Sequence, residues 1–386
     1  MITKPISYGR QYITDEDIAA VVAALKSDYL TQGPKIEEFE NKFAAYTGAK
    51  YNVLVSNGTA GLHLAAMALG IQPGDKIITT PITFVASANG FRYCGAEIVF
   101  CDINPDNYLL DLDKLENMLK VAPKGTYKVV VPVDFAGYPI DGERLHALAL
   151  EYGFSIVEDA CHAPGGVFID SKGVKHKVGD CAYADMTVFS YHPVKHIATG
   201  EGGSVTTNRK DLYDKLTLYR THGITKDPAR MTKVDGGWYY EMQDLGYNYR
   251  ITDFQAALGI SQLSRLEWSL ERRKAIAARY DKAFAGTKII TPKVENNVSH
   301  AYHLYIIQVE DRKGLYDYLR TQNIFAQVLY IPAHTMPYYR QFGWKVGDCP
   351  VAENYYAHCL ALPMFPTLTD EEQEYVIDKV LEFVNK

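Results

Sequence analysis

The chain lacks the features that mark several protein classes. It has 40 Lys and Arg residues against 46 Asp and Glu, a formal net charge of -6 at pH 7, so it has no basic excess. A nucleic-acid-binding protein needs a basic face, and the composition argues against one. No apolar run is long enough for a membrane-spanning helix, and the first residues lack the apolar core of a signal peptide. We therefore expect a soluble, cytoplasmic protein that binds neither nucleic acid nor membrane.

The cysteines are few and follow no known pattern. None belongs to a CxxC pair, and their spacing fits no metal site; they are Cys94, Cys101, Cys161, Cys181, Cys349 and Cys359. In a chain of 386 residues, such cysteines are expected to be reduced and mostly buried. We predict no bound metal.

Short apolar strands alternate with helices from residue 51 to about residue 206. Several strands are apolar on both faces, which is typical of a largely parallel sheet covered by helices on both sides. A helical stretch from Thr252 to about Phe284 and a mixed tail follow. We predict an α/β fold with a large domain over residues 1–250 and a smaller α+β domain over residues 251–386. The predicted strands are Tyr51–Val55, Lys76–Thr79, Glu97–Cys101, Lys128–Val133, Phe154–Glu158, Met186–Phe189, Gly203–Thr206 and, in the tail, Leu304–Val309.

Lys195 lies in the most informative stretch, Ser190-Tyr-His-Pro-Val-Lys-His-Ile-Ala-Thr-Gly-Glu-Gly-Gly203. A lone lysine is usually a solvated surface charge. This one follows a predicted strand, at the carboxyl edge of the sheet, where α/β domains bind their ligands. A lysine held there loses hydration and deprotonates more easily, as Schiff-base chemistry requires.

A second motif is Ile156-Val-Glu-Asp-Ala-Cys-His162, an apolar strand that ends in an acid. Asp159 has two interpretations: it caps a following helix, or it faces a pyridine nitrogen and keeps that ring protonated as an electron sink. His162, on the next turn, either contacts the same ring or is a structural histidine.

A polar turn, Ser56-Asn-Gly-Thr-Ala-Gly61, precedes a predicted helix from Leu62 to Leu69. Backbone N–H groups at a helix N-terminus bind anions, and hydroxyls add to such a site. Ser190 is a further candidate for a phosphate contact. Phe84 is a candidate for stacking on a cofactor, although an aromatic residue there is more often part of the core.

In this order, the motifs resemble the DegT/DnrJ/EryC1/StrS sugar aminotransferases, which are fold-type I enzymes dependent on pyridoxal 5'-phosphate. The similarity runs from Ser7-Tyr-Gly-Arg-Gln11 to Leu362-Pro-Met-Phe-Pro366. His-Pro-Val-Lys195 followed by Thr199-Gly-Glu-Gly-Gly203 resembles the branch that aminates C4 of a UDP-linked 4-keto-6-deoxy-N-acetylhexosamine in pseudaminic acid biosynthesis.

The resemblance implies a role for each matching residue. Lys195 matches the lysine that forms the Schiff base, with pyridoxamine phosphate as the intermediate form of the cofactor. Asp159 matches the partner of the ring nitrogen, and Asn248 matches an asparagine that reaches the cofactor phosphate of the neighbouring subunit, which implies a homodimer with shared active sites. The other matches are cofactor contacts at Gly58, Thr59, Phe84 and Ser190, and substrate contacts at Tyr8, Leu30, Thr31, Gln32, Gly33, Tyr330, Ile331, Pro332, Ala333 and His334. L-Glutamate is the implied amino donor, with 2-oxoglutarate as its product.

Three alternatives stay open. One is an aminotransferase for another UDP- or dTDP-linked 4-keto sugar, including the 4-amino-4-deoxy-arabinose route, because His196 and Ala198 depart from the pattern expected of the family. Another is a sensor that binds the cofactor without turnover, against which intact Lys195 and Asp159 argue. The last is a nucleotide-binding oxidoreductase, but no G-x-G-x-x-G turn follows the first strand.

Overall fold

Short apolar runs bounded by turns form most of the strands, as their content of β-branched residues favours. The computed structural model describes residues 4–385. In chain order, the strands are β1 (Ile6–Ser7), β2 (Tyr51–Val55), β3 (Lys76–Thr79), β4 (Glu97–Phe100), β5 (Tyr127–Val131), β6 (Ser155–Asp159), β7 (Val167–Ile169), β8 (Lys175–Lys177), β9 (Met186–Ser190), β10 (Gly203–Thr207), β11 (Ile224–Thr225), β12 (Glu241–Met242), β13 (Val298–Ser299), β14 (Tyr305–Gln308), β15 (Ile324–Phe325) and β16 (Cys359–Leu362).

The helices follow the strands in alternation through the first half of the chain. They are α1 (Asp15–Leu25), α2 (Pro34–Thr47), α3 (Gly58–Ala68), α4 (Ala86–Arg92), α5 (Leu112–Lys120), α6 (Gly142–Tyr152), α7 (Lys210–Arg220), α8 (Asp253–Leu263), α9 (Leu266–Phe284), α10 (Arg312–Thr321), α11 (Pro337–Arg340), α12 (Pro350–His358) and α13 (Asp370–Val384). Short 3₁₀ turns cover Phe135–Gly137 and Ala333–Thr335.

The central sheet has seven strands in the order β2-β10-β9-β6-β5-β3-β4. All neighbours are parallel except β10, which is antiparallel to both β2 and β9. These are the strands predicted between residues 51 and 206, with small differences at their ends. Their central residues are almost fully buried, which explains why the strands read as continuous apolar runs. The prediction of an α/β fold with a largely parallel sheet is therefore confirmed.

A second apolar core lies in the C-terminal third of the chain. It unites one face of α9 with α10, α13 and the antiparallel pair β14–β16, and it also includes Ile6 from β1. Strand β1 reaches this core by pairing in parallel with β15. The proposed division of the chain into two domains at residue 250 stays a prediction. Residues 1–3 and 386, at the outer ends of these domains, lie outside the described residues.

The structure refines two predictions about helices. The helical stretch predicted from Thr252 to about Phe284 consists of two helices, α8 and α9. The hydroxyl of Ser264 donates to the carbonyl of Ser261 at 2.6 Å, and Arg265 has non-helical φ and ψ values of -109° and 7°. A serine bonded back to its own helix in this way bends or ends it. Helix α3 also begins earlier than predicted, at Gly58, which places the predicted anion-binding turn within its first turn.

In residues 4–385, no helix combines the length and apolar character needed to cross a bilayer.

Candidate active site

A cavity of about 750 Å³ opens at the carboxyl edge of the central sheet. The segments that follow β2, β3, β6 and β9 supply most of its wall, as expected for a ligand site in this class of fold. Of the predicted site residues, the cavity brings together Tyr8, Gly58, Thr59, Phe84, Asp159, His162, Ser190, Lys195 and Tyr330.

Lys195 lies in the loop between β9 and β10. The loop is held by backbone hydrogen bonds, from Tyr191 N to Gly202 O at 2.8 Å and from Thr199 N to Tyr191 O at 2.9 Å. The Lys195 amine faces the cavity and has no hydrogen bond or ion pair with any residue from 4 to 385. Burial lowers the pKa of Lys195 to about 8, and the nearby Cys161 and Asp159 offset part of that effect. A substantial fraction of this amine is therefore neutral near neutral pH, as a nucleophile requires.

Asp159 ends β6 and caps no helix, so the interpretation as a helix cap is wrong. One carboxylate oxygen, Oδ1, accepts the N–H of Cys161 at 3.2 Å, and the other, Oδ2, accepts the hydroxyl of Ser87 at 2.5 Å. The side chain is 6% exposed and lines the cavity. A buried carboxylate held by two donors is an acceptor with a fixed orientation.

His162 is a neutral histidine in the wall of the cavity. Its Nδ1 accepts the N–H of Ala136 at 3.2 Å, so its proton is on Nε2, which lies 3.2 Å from the hydroxyl of Tyr330. Burial, followed by the charges of Lys195 and His196, holds its pKa well below the usual value. His162 therefore contacts the cavity and is also fully bonded to the protein.

The first turn of α3 forms an anion-binding edge of the cavity. Asn57 caps the helix by accepting the N–H of Ala60 at 2.8 Å. The N–H groups of Gly58 and Thr59, the two residues before Ala60, have no partner among residues 4–385. A Cβ atom on residue 58 would come within 3.1 Å of the Cβ of Ser190, so glycine at this position lets Ser190 lie against the helix end. The arrangement fits a phosphate group.

Phe84 belongs to the cavity wall and not to the core. It follows β3, and 61% of its surface is exposed. Its ring centroid lies 6.2 Å from that of Tyr330, which occupies the same wall. An exposed aromatic face in the wall of a cavity can stack on a flat ligand.

Several predicted residues lie outside this cavity. Asn248 is exposed and forms an isolated backbone bridge with Thr221. Leu30, Thr31, Gln32 and Gly33 form a surface loop, and Asp253 holds this loop by accepting the N–H of Gly33 at 2.8 Å. Ile331 is exposed, whereas Pro332, Ala333 and His334 are buried, and His334 Nε2 contacts Glu353 at 2.9 Å.

Other residues that line the cavity were not predicted as site residues. Asn57 lies within the Ser56–Gly61 turn, and Tyr249 is next to Asn248, so both had a local signal in the sequence. His303 comes from the segment before β14 and stacks on His162 with a centroid distance of 4.3 Å. Nothing near His303 in the sequence suggests a site, because tertiary packing alone brings it there.

Comparison with known proteins gives the chain its family. The model of the DegT/DnrJ/EryC1/StrS aminotransferase family matches residues 11–381. The chain belongs to this family. It is a sugar aminotransferase dependent on pyridoxal phosphate, and the predicted fold-type I architecture is confirmed by solved relatives of the same fold.

Individual relatives match the aminotransferase over nearly its whole length. The spore coat polysaccharide biosynthesis protein SpsC of Bacillus subtilis is 40% identical over 98% of this chain and 97% of its own. The UDP-4-amino-4,6-dideoxy-N-acetyl-beta-L-altrosamine transaminase of Campylobacter jejuni is 36% identical over 99% and 98%. The structure of Helicobacter pylori PseC, an aminotransferase involved in pseudoaminic acid biosynthesis, superposes with a TM-score of 0.90 at 30% identity, covering 99% of this chain and 100% of PseC.

The residues of the cavity fit the cofactor of the family, of which one solved relative is known in both a PLP-form and a PMP-form. An unpartnered amine of lowered pKa suits an aldehyde, and the free N–H groups of Gly58 and Thr59 suit a phosphate. The carboxylate of Asp159 suits a protonated ring nitrogen, and the exposed face of Phe84 suits a flat ring. The aldehyde, the phosphate, the ring nitrogen and the ring face of pyridoxal phosphate thus each have a chemically matched counterpart.

Proposed function

We propose that the aminotransferase moves an amino group from L-glutamate to C4 of a UDP-linked 4-keto-6-deoxy-N-acetylhexosamine, as in pseudaminic acid biosynthesis. The product would be a UDP-4-amino-4,6-dideoxy sugar. The observation that carries this proposal is the 36% identity, over 99% of the chain, to a transaminase named for such a sugar. The similarity to PseC supports the same substrate class.

The proposed roles follow from the geometry of the cavity. When bound, pyridoxal phosphate supplies a carbonyl carbon that receives the amino group and a ring that accepts electrons. Lys195 would bind that carbon through its amine and, once displaced by the donor, would take and return the proton at its own Nζ. Asp159 would accept a hydrogen bond from the ring nitrogen and so keep it protonated. Gly58, Thr59 and Ser190 would bind the phosphate.

A second candidate is an aminotransferase for a different 4-keto sugar nucleotide. The 40% identity to SpsC, named for spore coat polysaccharide biosynthesis, favours this alternative. The reaction and the roles of Lys195 and Asp159 would be the same, and only the sugar-binding wall would differ.

Visible absorption tests both candidates. The cofactor band of the purified protein should convert to that of pyridoxamine phosphate when L-glutamate is added, and the UDP-linked 4-keto sugar should restore it. If glutamate converts the band and only another sugar nucleotide restores it, the second candidate is correct. If no band forms after pyridoxal phosphate is added, the assignment of Lys195 is wrong.

We also propose a homodimer in which Asn248 of the partner subunit completes the phosphate site. The segment before Asn248 exposes an unusual number of large apolar side chains, and Trp238 alone is 76% exposed. The others are Val234, Tyr240, Met242, Leu245 and Tyr247. Apolar surface gathered in one segment is typical of an interface between subunits.

Substitution within this apolar segment tests the dimer. Leu245→Asp should shift the molar mass measured by light scattering toward that of a monomer and weaken cofactor binding, because it places a charge in the interface. Val121→Asp changes an even more exposed apolar residue directly after α5 and should leave the dimer intact. A wild-type protein that is monomeric and fully active would contradict the proposal.

A further inference from the structure

Two buried hydroxyls form a chain that ends on Asp159. The Ser87 hydroxyl lies 2.5 Å from Asp159 Oδ2, and the Thr83 hydroxyl lies 2.6 Å from Ser87 Oγ. Ser87 is fully buried and Thr83 is 2% exposed, so water does not compete for these bonds. Thr83 lies in the segment between β3 and α4, and Ser87 lies in the first turn of α4.

The direction of the chain follows from the chemistry of the groups. An ionised carboxylate only accepts hydrogen bonds, so the hydrogen of Ser87 points to Asp159. The oxygen of Ser87 then accepts the hydrogen of Thr83, although the carbonyl of Phe84 also lies within 3.1 Å of Thr83 Oγ1. Each donor polarises the next in a chain of this kind, which strengthens the bond to the carboxylate.

The orientation of Asp159 depends on these bonds. The N–H of Cys161 holds Oδ1 at 3.2 Å, a length at the limit for a good N–H···O bond. The bond from Ser87 to Oδ2 is therefore the stronger of the two, and it sets the plane of the carboxylate. Phe84 lies between Thr83 and Ser87 in the sequence, so a single short segment positions an aromatic face and the carboxylate on the same cavity.

We propose that Ser87 is a positioning residue, whose hydroxyl, supported by Thr83, fixes the Asp159 carboxylate toward the ring nitrogen of the cofactor. The inference rests on the proposed role of Asp159. Without Ser87, the carboxylate could rotate, and its bond to the ring nitrogen would weaken. The hydroxyl chain would thus control how fully the ring nitrogen stays protonated.

Cofactor binding and nitrogen NMR test this role. Ser87→Ala should raise the dissociation constant for pyridoxal phosphate on the order of tenfold, because a hydrogen bond to a charged group is lost. With pyridoxal phosphate labelled with ¹⁵N in the ring, the nitrogen resonance should move toward that of unprotonated pyridine. Thr83→Val removes the supporting hydroxyl at nearly constant volume and should cause a smaller shift in the same direction, whereas Thr83→Ser keeps the hydroxyl and should match the wild type.

The outcomes separate this inference from the proposal on which it rests. If Asp159→Asn moves the nitrogen resonance and Ser87→Ala and Thr83→Val do not, the role of Ser87 is refuted and that of Asp159 stands. If Asp159→Asn leaves the resonance unchanged as well, the role of Asp159 is wrong. A Ser87→Ala protein that melts at a lower temperature with an unchanged resonance shows a merely structural serine and also refutes the inference.

Discussion

Two cations, the fully buried Arg273 and the partly buried Lys195, have opposite surroundings in this molecule. Arg273, in α9, is 1% exposed, and its guanidinium donates to the carbonyls of Tyr302 at 3.0 Å and Met364 at 3.1 Å. Burial lowers its pKa to about 10, which still leaves it protonated at neutral pH. Lys195 has no such acceptor for its amine among residues 4–385, and its pKa falls to about 8. Arg273, a structural cation, donates hydrogen bonds to carbonyl groups. The amine of Lys195, a reactive cation, has no such acceptor among residues 4–385.

The largest effect should come from removing the reactive amine. Lys195→Met should bind pyridoxal phosphate without a covalent bond, and its turnover should fall at least 10²- to 10⁴-fold, roughly the contribution of a positioned acid–base group. Steady-state assays with glutamate and a 4-keto sugar nucleotide measure this loss. Turnover within a few-fold of the wild type would show that Lys195 is not the reactive amine.

Removing the structural cation should lower stability. Arg273→Met leaves buried carbonyls without a donor, and each such group costs about 1–3 kcal/mol. We expect the free energy of unfolding of the apo-protein to fall by about 2–5 kcal/mol in urea titrations. Lys274→Met, in the same helix but at an exposed ion pair with Glu271, should change it by less than about 1 kcal/mol. If Arg273→Met and Lys274→Met lowered the free energy of unfolding equally, the structural role of Arg273 would be refuted.

The smallest effect is expected on the stability of the apo-protein when Lys195 is replaced. Its sign is opposite to that of the Arg273→Met effect, because the substitution stabilises the protein. The pKa of Lys195 is about 8 in the folded protein and 10.5 in the unfolded chain, so the unfolded state binds more protons between these values. The free-energy cost of keeping Lys195 protonated in the folded protein applies in full below pH 8 and disappears as the pH rises to 10.5. Lys195→Met should therefore stabilise the apo-protein by up to about 3 kcal/mol at pH 7 and hardly at all above pH 10.5. A pH-independent difference between the two proteins would contradict this.

The central sheet was predictable because its strands carry local signals. Each is a short apolar run bounded by turn residues, and each is buried on both faces. The peripheral strands have no such signal: β8, for example, is Lys175-His176-Lys177, and it forms only because it pairs with β7. The break between α8 and α9 also has no clear signal in the sequence, because Ser264 and Arg265 are neither glycine nor proline.

The part of the site that is formed by residues at the ends of strands was predictable from the sequence. Lys195 and Asp159 follow strands of one sheet, so their meeting at its carboxyl edge could be foreseen. Ser87 and His303 could not, because each reaches the cavity through packing between segments far apart in the sequence. Asn248 and the Leu30–Gly33 loop do not line this cavity, so their contacts with cofactor and substrate stay predictions.

The pairing of β1 with β15 has a consequence for synthesis of the protein. Ile6 pairs with Ile324, so β1 can form only after the distant strand β15 has been synthesised. The central sheet can assemble in the meantime, because its strands all lie between residues 51 and 207. Tyr8 follows directly after β1 and lines the cavity. The cofactor pocket of a nascent chain therefore stays open on one side until β15 has been added.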